Sequence, residues 1–232
     1  MDAEALKRRA AETAAEWIED GMTLGLGTGS TVRHLLDVIA ERRAEGAWGS
    51  VVGVPTSEDT AERARGLGIP LASLNERPEV DLTIDGADEV DPELRLIKGL
   101  GAALLREKIV AAASRELVIV ADETKVVERL GTKAPLPVEV DPFGAAIQPA
   151  FLRSLGAEPT LRRRGGEPLV TDGGNLIFDC RFPEGIEDAE RLELRLALRP
   201  GVIDSGLFLG MASAAVIAGE AGVRVLRREG GR

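Results

Sequence analysis

Short apolar runs that alternate with longer helical patterns constrain the fold of this 232-residue chain more than any other feature. Such alternation is typical of an α/β fold built on a mainly parallel sheet flanked by helices. Four runs predict strands, at residues 22–26, 51–54, 80–84 and 117–121. Each is followed by a turn rich in functional groups, in the order GTGST, PTSED, DGADEVD and DETK. Because the carboxyl ends of parallel strands share one edge of a sheet, we expect these turns to converge.

The pattern changes after Thr132, where a proline-rich passage leads into a second set of elements. Their predicted order is a strand (136–140), a helix (144–155), two strands (158–163 and 174–180), a helix (186–198) and a strand near 202. This βαββαβ order predicts a smaller ferredoxin-like α+β subdomain. The apolar stretch that follows is expected to return to the first core, and the tail REGGR to be frayed.

These patterns together predict two domains. The first is a Rossmann-like catalytic domain of residues 1–132 plus 205–232, and the second is the ferredoxin-like subdomain of residues 133–204. We find no internal repeat.

Charge and hydropathy restrict the partners of the chain. It carries 29 Lys and Arg against 39 Asp and Glu, a net charge of −10, which argues against nucleic acid or an anionic membrane surface. No apolar run approaches the ~20 residues that span a bilayer, and the N-terminal segment predicts an amphipathic helix rather than a signal peptide. We therefore expect a soluble, cytoplasmic protein. A small phosphorylated substrate stays compatible with the acidic charge, because amides and one or two lysines can bind phosphate.

The chain contains one cysteine, Cys180, and one histidine, His34. A single cysteine excludes an internal disulfide and a thiolate metal cluster. His34 falls in a helical pattern, where a surface position is expected. We predict neither a metal nor a cofactor, so Asp, Glu, Lys, Ser and Thr must carry any catalysis.

A glycine-rich segment, residues 25–31 (GLGTGST), lies between the first strand and a helix that is expected to begin near Val32. Free amides at a helix start, together with the hydroxyls of Thr28, Ser30 and Thr31, can donate to phosphate oxygens. The same residues are equally typical of a helix cap. The segment lacks the lysine of a Walker motif, and Ser30 replaces the third glycine of a dinucleotide fingerprint, so nucleotide binding is disfavoured.

Two carboxylates three residues apart, Asp85 and Asp88, follow the third strand. Bringing them together is costly unless they bind a cation or exchange protons with a substrate. An Asp-rich turn that caps a helix is the alternative interpretation. The spacing of an EF-hand is absent.

A lysine beside two glycines, in the segment Lys98-Gly99-Leu100-Gly101, can stabilise developing negative charge on a ligand. Glu107 lies in the following helix, three or four residues from apolar side chains, so we expect it to be partly buried. Burial raises the pKa of a carboxyl group toward the value that a general base needs at neutral pH. Its neighbours, Arg106 and Lys108, are as typical of a solvated helix face. Lys125, and more weakly Lys7, are candidates to pair with phosphate, although a surface lysine is the commoner case.

In this order the motifs resemble the ribose-5-phosphate isomerase A family. The matching segments are GTGST (27–31), DGADEVDPEL (85–94), IKGLGAALLREKI (97–109), VIVADETK (118–125), LPVEV (136–140) and TDGGN (171–175). The resemblance spans nearly the whole chain. It implies an aldose–ketose isomerase that interconverts D-ribose 5-phosphate and D-ribulose 5-phosphate through an enediolate, in the non-oxidative pentose phosphate pathway, as a homodimer or homotetramer.

The resemblance also implies a role for each motif. Glu107 would be the base that moves a proton between C1 and C2, Lys98 would stabilise the enediolate oxygen, and Asp85 and Asp88 would assist ring opening. The implied substrate-binding residues are Thr28, Gly29, Ser30, Thr31, Asp85, Gly86, Ala87, Asp88, Lys98, Gly99, Leu100, Gly101 and Lys125, with Lys7 as a weaker phosphate candidate. Leu100 departs from the family pattern, which has glycine there, and a leucine would strain the turn if that position needed a positive φ.

Two other functions fit parts of the pattern. A sugar-phosphate-binding regulatory module would need a basic helix-turn-helix ahead of the domain, whereas one helix of mixed charge precedes the first strand. A coenzyme A transferase would use Glu107 as a nucleophile and would leave the DGAD and KGLG motifs unexplained.

Overall fold

A computed structural model describes residues 2–228 of the chain, so the predicted frayed tail lies outside the described residues apart from Arg228. The α-helices are α1 (Ala3–Ala15), α2 (Ser30–Ala44), α3 (Glu58–Gly66), α4 (Leu104–Ala112), α5 (Gln148–Ser154) and α6 (Ala189–Ala197). Two short 3₁₀ segments occupy Glu123–Lys125 and Pro142–Ile147. None of the helices within this described range is both long and apolar enough to cross a membrane.

The strands are numbered in chain order. They are β1 (Thr23–Leu26), β2 (Val52–Pro55), β3 (Val80–Gly86), β4 (Glu89–Val90), β5 (Leu96–Ile97), β6 (Ser114–Asp122), β7 (Leu136–Val140), β8 (Glu158–Leu161), β9 (Arg163–Arg164), β10 (Glu167–Pro168), β11 (Leu176–Arg181), β12 (Val202–Ser205), β13 (Leu207–Phe208), β14 (Ala214–Gly219) and β15 (Gly222–Arg227).

The chain divides into two compact units. The first comprises Met1–Ala87, Arg106–Lys125 and Met211–Arg232, and the second comprises Asp88–Leu105 and Val126–Gly210. The domain limits predicted from the sequence differ from this division and stay a prediction. The second unit also takes in 88–105, because the two-residue strands β4 and β5 form a three-stranded antiparallel sheet with β13.

A six-stranded sheet forms the centre of the first unit, in the order β15-β14-β6-β3-β1-β2. All neighbours pair in parallel except β15, which returns antiparallel to β14. The four strands predicted for the first half of the chain are confirmed within a few residues. Most of the closing apolar stretch returns to this sheet as β14 and β15, whereas its Leu207-Phe208 pair belongs to the second unit as β13.

Helices cover both faces of this sheet. Alternate strand residues, such as Leu24 and Leu26, join the buried side chains of α1 and α2 in one core. Gly25 points to the opposite face, where an added Cβ would meet Val110 of α4 at 2.8 Å. This α/β arrangement of a mainly parallel sheet between helices confirms the predicted fold class, and it sets the carboxyl ends of β1, β2 and β3 side by side.

The second unit contains a four-stranded antiparallel sheet in the order β12-β7-β11-β8, with α5 and α6 completing the βαββαβ order. Its buried side chains include Val138 of β7 and Leu192 of α6. The helix predicted at 144–155 begins later, at Gln148, because Gly144 has a non-helical φ of −138°. The turn before it is 3₁₀, capped by Asp141, whose carboxylate accepts from the Phe143 amide.

Candidate active site

The glycine-rich loop ends β1 and opens α2. The amide of Gly27 donates to the carbonyl of Ile84 on the neighbouring strand at 3.1 Å. Gly29 has φ 122°, a conformation that favours glycine, and it is the N-cap of α2 without a side-chain hydrogen bond to the helix. The helix begins at Ser30, two residues before the predicted start. Its first turn therefore lacks the hydroxyl cap that was the alternative interpretation of this segment, and Ser30 and Gly29 are exposed.

Thr28 is the centre of a cluster of hydroxyl groups. Its Oγ1 lies 2.8 Å from Oγ1 of Thr56, 2.8 Å from Oγ of Ser57 and 3.3 Å from Oγ1 of Thr60. Thr60 Oγ1 in turn donates to the Gly27 carbonyl at 2.8 Å. Sequence reasoning singled out the PTSED turn as a strand-end loop but did not include its residues in the site. Strand adjacency was the signal that could have found them, because β1 and β2 are neighbours.

The Asp85 carboxylate binds the backbone of the glycine-rich loop. Its Oδ1 accepts from the Thr28 amide at 3.0 Å and from the Gly86 amide at 2.7 Å. Asp85 is 1% exposed. A Cβ added to Gly27 would lie 2.1 Å from the same oxygen, so glycine is required for this approach. The predicted convergence is thus confirmed for the turns after β1, β2 and β3.

Glu107, in α4, is 3% exposed. Its neighbour Arg106 turns to α3, where it donates to Oε1 of Glu58 at 2.8 Å. That hydrogen bond lowers the pKa of the Glu58 carboxyl. Lys108 is half-buried. The alternative that the REK triplet is simply a solvated helix face is therefore wrong for Glu107, and a carboxylate so buried is costly unless it has a function or partners.

Two candidate phosphate lysines also lie in the first unit. Lys125 is half-buried and closes the 3₁₀ turn after β6, where Asp122 accepts from the amide of Thr124 at 2.9 Å. Lys7 of α1 pairs with Glu4 at 2.6 Å. Oε2 of the same glutamate lies 3.0 Å from Nε2 of His34, and the hydrogen bonds that Glu4 accepts from Lys7 and His34 lower its pKa. His34 therefore lies on a helix, as predicted, whereas its contact with Glu4 of α1 was not predicted.

In the second unit, Asp88 holds the KGLG loop. Its amide donates to the carbonyl of Ile97 at 2.8 Å, and its Oδ2 accepts from the Leu100 amide at 2.9 Å. The positive φ values in this segment fall on Gly99 (104°) and Ala102 (65°), not on Leu100. The leucine side chain is 43% exposed. The strain anticipated for Leu100 is therefore absent, because the turn places its left-handed residues at other positions.

Lys98, immediately after β5, is 2% exposed. Its Nζ lies 5.3 Å from the centroid of the Phe208 ring, a cation–π distance. Its amide donates to the Gly206 carbonyl at 2.9 Å. A Cβ on Gly206 would come within 2.2 Å of the Lys98 carbonyl oxygen, which explains the glycine before the closing Leu207-Phe208 pair. The contact between Lys98 and Phe208 was not predicted, because the two residues are 110 positions apart and no local pattern links them.

Within the part of the chain that the structure describes, no group of three or more His, Cys, Asp or Glu side chains is placed to hold a metal ion. In the first unit, hydroxyls, backbone amides and the Asp85 carboxylate lie together at the ends of β1, β2 and β3. Such a set can bind a phosphate and hydroxyl groups and can exchange protons next to a carbonyl.

Comparison with known proteins identifies relatives over nearly the full chain. The family model for ribose 5-phosphate isomerase A (phosphoriboisomerase A) matches residues 52–222. A ribose-5-phosphate isomerase A of Gloeobacter violaceus is 56% identical over 227 residues, 97% of each chain. That of Roseiflexus sp. (strain RS-1) is 55% identical over 224 residues, 96% of each chain.

Solved structures give the same result. A ribose 5-phosphate isomerase from Plasmodium falciparum superposes with a TM-score of 0.94 at 39% identity, covering 97% of this chain and 99% of that one. A D-ribose-5-phosphate isomerase solved in complex with phospho-erythronic acid superposes with a TM-score of 0.95, also at 39% identity, covering 98% and 100%.

Proposed function

The chain belongs to the ribose 5-phosphate isomerase A family, and we propose that Glu107 is the base of its reaction. It is an aldose–ketose isomerase that interconverts D-ribose 5-phosphate and D-ribulose 5-phosphate. Starting from the open-chain aldose, Glu107 removes the proton from C2, and the electron pair moves into an enediolate with negative charge on O1. The glutamic acid returns that proton to C1, while the O2 hydroxyl proton passes to O1, leaving the ketone.

The burial of Glu107 is the observation that carries this assignment. It is 3% exposed, between two basic residues that are each more exposed. A general base must be positioned within reach of the proton that it removes, and enzymes tune a glutamate for this role by burial and neighbouring groups. A serine or cysteine nucleophile is not needed for this step, which suits a chain with one buried cysteine.

The other charged groups of the motifs have complementary roles in the proposal. Lys98, held near Phe208, supplies the positive charge that stabilises the enediolate oxygen. Asp85 and Asp88 assist ring opening and the exchange of protons among the hydroxyls. Both carboxylates are fixed by backbone amides, at Thr28 and at Leu100, so their free energy of reorganisation during the reaction is small.

We propose that the start of α2 binds the phosphate group. Gly29, Ser30 and Thr31 present amides and hydroxyls at a helix N-terminus, where the helix dipole favours an anion. Thr28 positions the loop through its hydroxyl contacts. Lys125, and less directly Lys7, add positive charge. The backbones of Gly86, Ala87, Gly99, Leu100 and Gly101 complete the proposed substrate contacts.

A Glu107→Gln variant tests the proposal. The amide keeps the shape of the side chain but cannot accept the proton, so turnover of ribose 5-phosphate should fall by at least ~10² to 10⁴-fold. Glu116→Gln, an exposed glutamate on β6, is the matched control and should retain turnover. Thermal unfolding of both variants verifies that each is folded. Wild-type turnover by Glu107→Gln would overturn the assignment.

The reaction as proposed requires no metal and no cofactor. Ribulose 5-phosphate formation is expected to survive exhaustive chelation, because the charge that stabilises the enediolate comes from Lys98. Activity that vanished on chelation and returned only with a divalent ion would contradict this part of the proposal.

We also propose that the protein acts in the cytoplasm, in the non-oxidative pentose phosphate pathway, as a homodimer or homotetramer. Apolar side chains on the second unit support self-association, since Phe143 is 98% exposed and Leu198 73% exposed. Sedimentation at micromolar concentration, repeated with Phe143→Asp, tests this; a monomer in the wild type would contradict it.

The two alternative functions are not supported. The relatives that are 55–56% identical over 96–97% of the chain are named ribose-5-phosphate isomerase A, which favours the isomerase over both alternatives.

A further inference from the structure

The guanidinium group of Arg162 contacts the KGLG loop from a distant part of the second unit. Its Nη1 donates to the carbonyl of Gly99 at 2.8 Å and to that of Leu100 at 3.2 Å. These residues lie 63 and 62 positions away in the sequence. The carbonyls of these two neighbouring residues, which follow Lys98, therefore share one donor, the Nη1 of a residue that lies between β8 and β9.

The other edge of the guanidinium is occupied by Asp179. Arg162 Nε donates to Oδ2 of Asp179 at 2.9 Å, and Nη2 donates to Oδ1. This is the two-bond fork that arginine makes with a carboxylate and that lysine cannot reproduce. Asp179 lies in β11, paired with Thr160 of β8, so a rigid sheet sets the direction of the fork. The Arg162 side chain is 10% exposed, which limits competition from water.

These contacts decide which way the amides of the loop face. In a trans peptide the C=O and N–H groups point in opposite directions. Since the carbonyls of Gly99 and Leu100 face Arg162, the amides of Leu100 and Gly101 point away from it. The Leu100 amide accordingly reaches Asp88 at 2.9 Å. The Lys98 amide is held separately by the Gly206 carbonyl, so the backbone on both sides of the lysine is tied down.

We propose that Arg162, oriented by Asp179, is a positioning residue that fixes the peptide groups following Lys98. The inference rests on the function proposed above, in which Lys98 stabilises the enediolate. Stabilisation of the enediolate acts mainly in the transition state, so a misplaced loop should lower kcat more than it raises KM. A displacement of about 1 Å can reduce turnover by roughly 100-fold.

A double-mutant cycle tests this role. Arg162→Lys keeps the charge but loses the fork, and should lower kcat by roughly 10- to 100-fold with little change in KM. Lys98→Met removes the ammonium from a buried position with a side chain of similar length. If Arg162 acts through the loop that carries Lys98, adding Arg162→Lys to Lys98→Met should change kcat by less than roughly threefold. Fully additive losses would overturn the inference, because a purely structural role of Arg162 would lower kcat by the same factor in the wild type and in Lys98→Met.

Controls separate folding from positioning. Arg163→Lys is the matched control. The Arg163 side chain donates to the carbonyl of Gly166 in an exposed turn, so the kcat of this variant should be unchanged. All rates are taken per folded molecule, measured by circular dichroism and thermal unfolding. If Arg162→Lys does not fold, Asp179→Asn replaces it, since the amide keeps the shape but weakens the fork. A folded Asp179→Asn variant with wild-type kcat would refute the proposal.

The same double-mutant cycle tests the role of Lys98 separately from the role of Arg162. Unchanged kcat in Lys98→Met alone would contradict the proposed role of Lys98, and the role of Arg162 with it. A large loss in Lys98→Met together with an unchanged Arg162→Lys would remove only the positioning role.

Discussion

Oδ1 of Asp85 accepts a hydrogen bond of 3.0 Å from the amide of Thr28. Asp85 lies near the end of β3 and Thr28 lies 57 positions earlier, in the loop after the adjacent strand β1. Because the buried Asp85 carboxylate accepts from the backbone of the glycine-rich loop, the proposed proton-exchange group is in direct contact with the proposed phosphate site. Changes at the contact between these turns should therefore affect both stability and substrate affinity.

Gly27→Ala should disrupt this contact. The new Cβ would lie 2.1 Å from Oδ1 and 2.6 Å from the backbone Cα of Asp85, so the two turns must separate. We expect a loss of about 1–3 kcal/mol in the free energy of unfolding, as for other overpacked sites, together with a higher KM. Gly66→Ala is the control, because Gly66 ends α3 with nothing within 4 Å of its Cβ position. Urea unfolding should show no loss for it, and equal effects at both glycines would contradict the prediction.

Glu89 should be important for stability rather than for turnover. It is fully buried, and its carboxylate accepts from the amides of Gly131 (2.6 Å), Lys133 (2.6 Å) and Ala134 (2.7 Å). In Glu89→Gln an N–H₂ group would face at least one backbone N–H, which should cost about 1–3 kcal/mol. Chemical denaturation measures this. Glu93→Gln, at an exposed glutamate four residues on, should stay within about 0.5 kcal/mol of wild type. A Glu89→Gln variant as stable as this control would refute the role.

The KGLG loop should tolerate change at Leu100 but not at Gly99. Leu100 is 43% exposed and its backbone has no positive φ, so Leu100→Ala should keep kcat/KM within roughly twofold. Gly99 has φ 104°, and its added Cβ would lie 2.8 Å from Cβ of Leu104. Gly99→Ala should therefore lose at least roughly tenfold in kcat/KM by moving the loop. Steady-state kinetics on both variants decides, and the reverse ranking would contradict the loop geometry.

The Cys180 thiol should be inert in the folded protein. Burial, with a smaller contribution from the Asp179 charge, raises its pKa to about 12. Because the thiolate is the reactive form, iodoacetamide at pH 8 should leave the native protein unmodified and should alkylate it fully in urea. Mass spectrometry measures the modified fraction. Rapid alkylation without denaturant would show that the thiol is accessible.

The same shift predicts how stability depends on alkaline pH. The unfolded thiol ionises near its ordinary pKa of about 8.5, whereas the folded thiol keeps its proton to about 12. The Cys180 contribution is thus fully present below pH ~8.5 and declines as pH rises toward 12, because the unfolded state loses its proton first. Cys180→Ala should show a shallower decline over this window. An identical slope in both proteins would contradict it.

Local patterns predicted most of the elements. Strands such as β7, at 136–140, have alternating or continuous apolar residues bounded by proline and glycine, and such periodicity is a short-range property. The three-stranded sheet of β4, β5 and β13 was missed because strands of two residues have no period to detect. The late start of α5 was missed because the i, i+3 spacing of a short 3₁₀ segment also occurs in an α-helix.

The amino-acid sequence by itself determined the chemical groups available to this protein and the α/β class of its fold. With one histidine and one buried cysteine, its chemistry falls on carboxylates, lysines and hydroxyls. Only the tertiary structure decided which of these groups are buried and what they contact. Glu107 is enclosed while Arg106 turns to Glu58, and Arg162 reaches the loop after Lys98 from 63 residues away. The reason is physical: periodicity encodes which face of an element is apolar, whereas the depth and partners of one side chain depend on elements that meet only after the chain has folded.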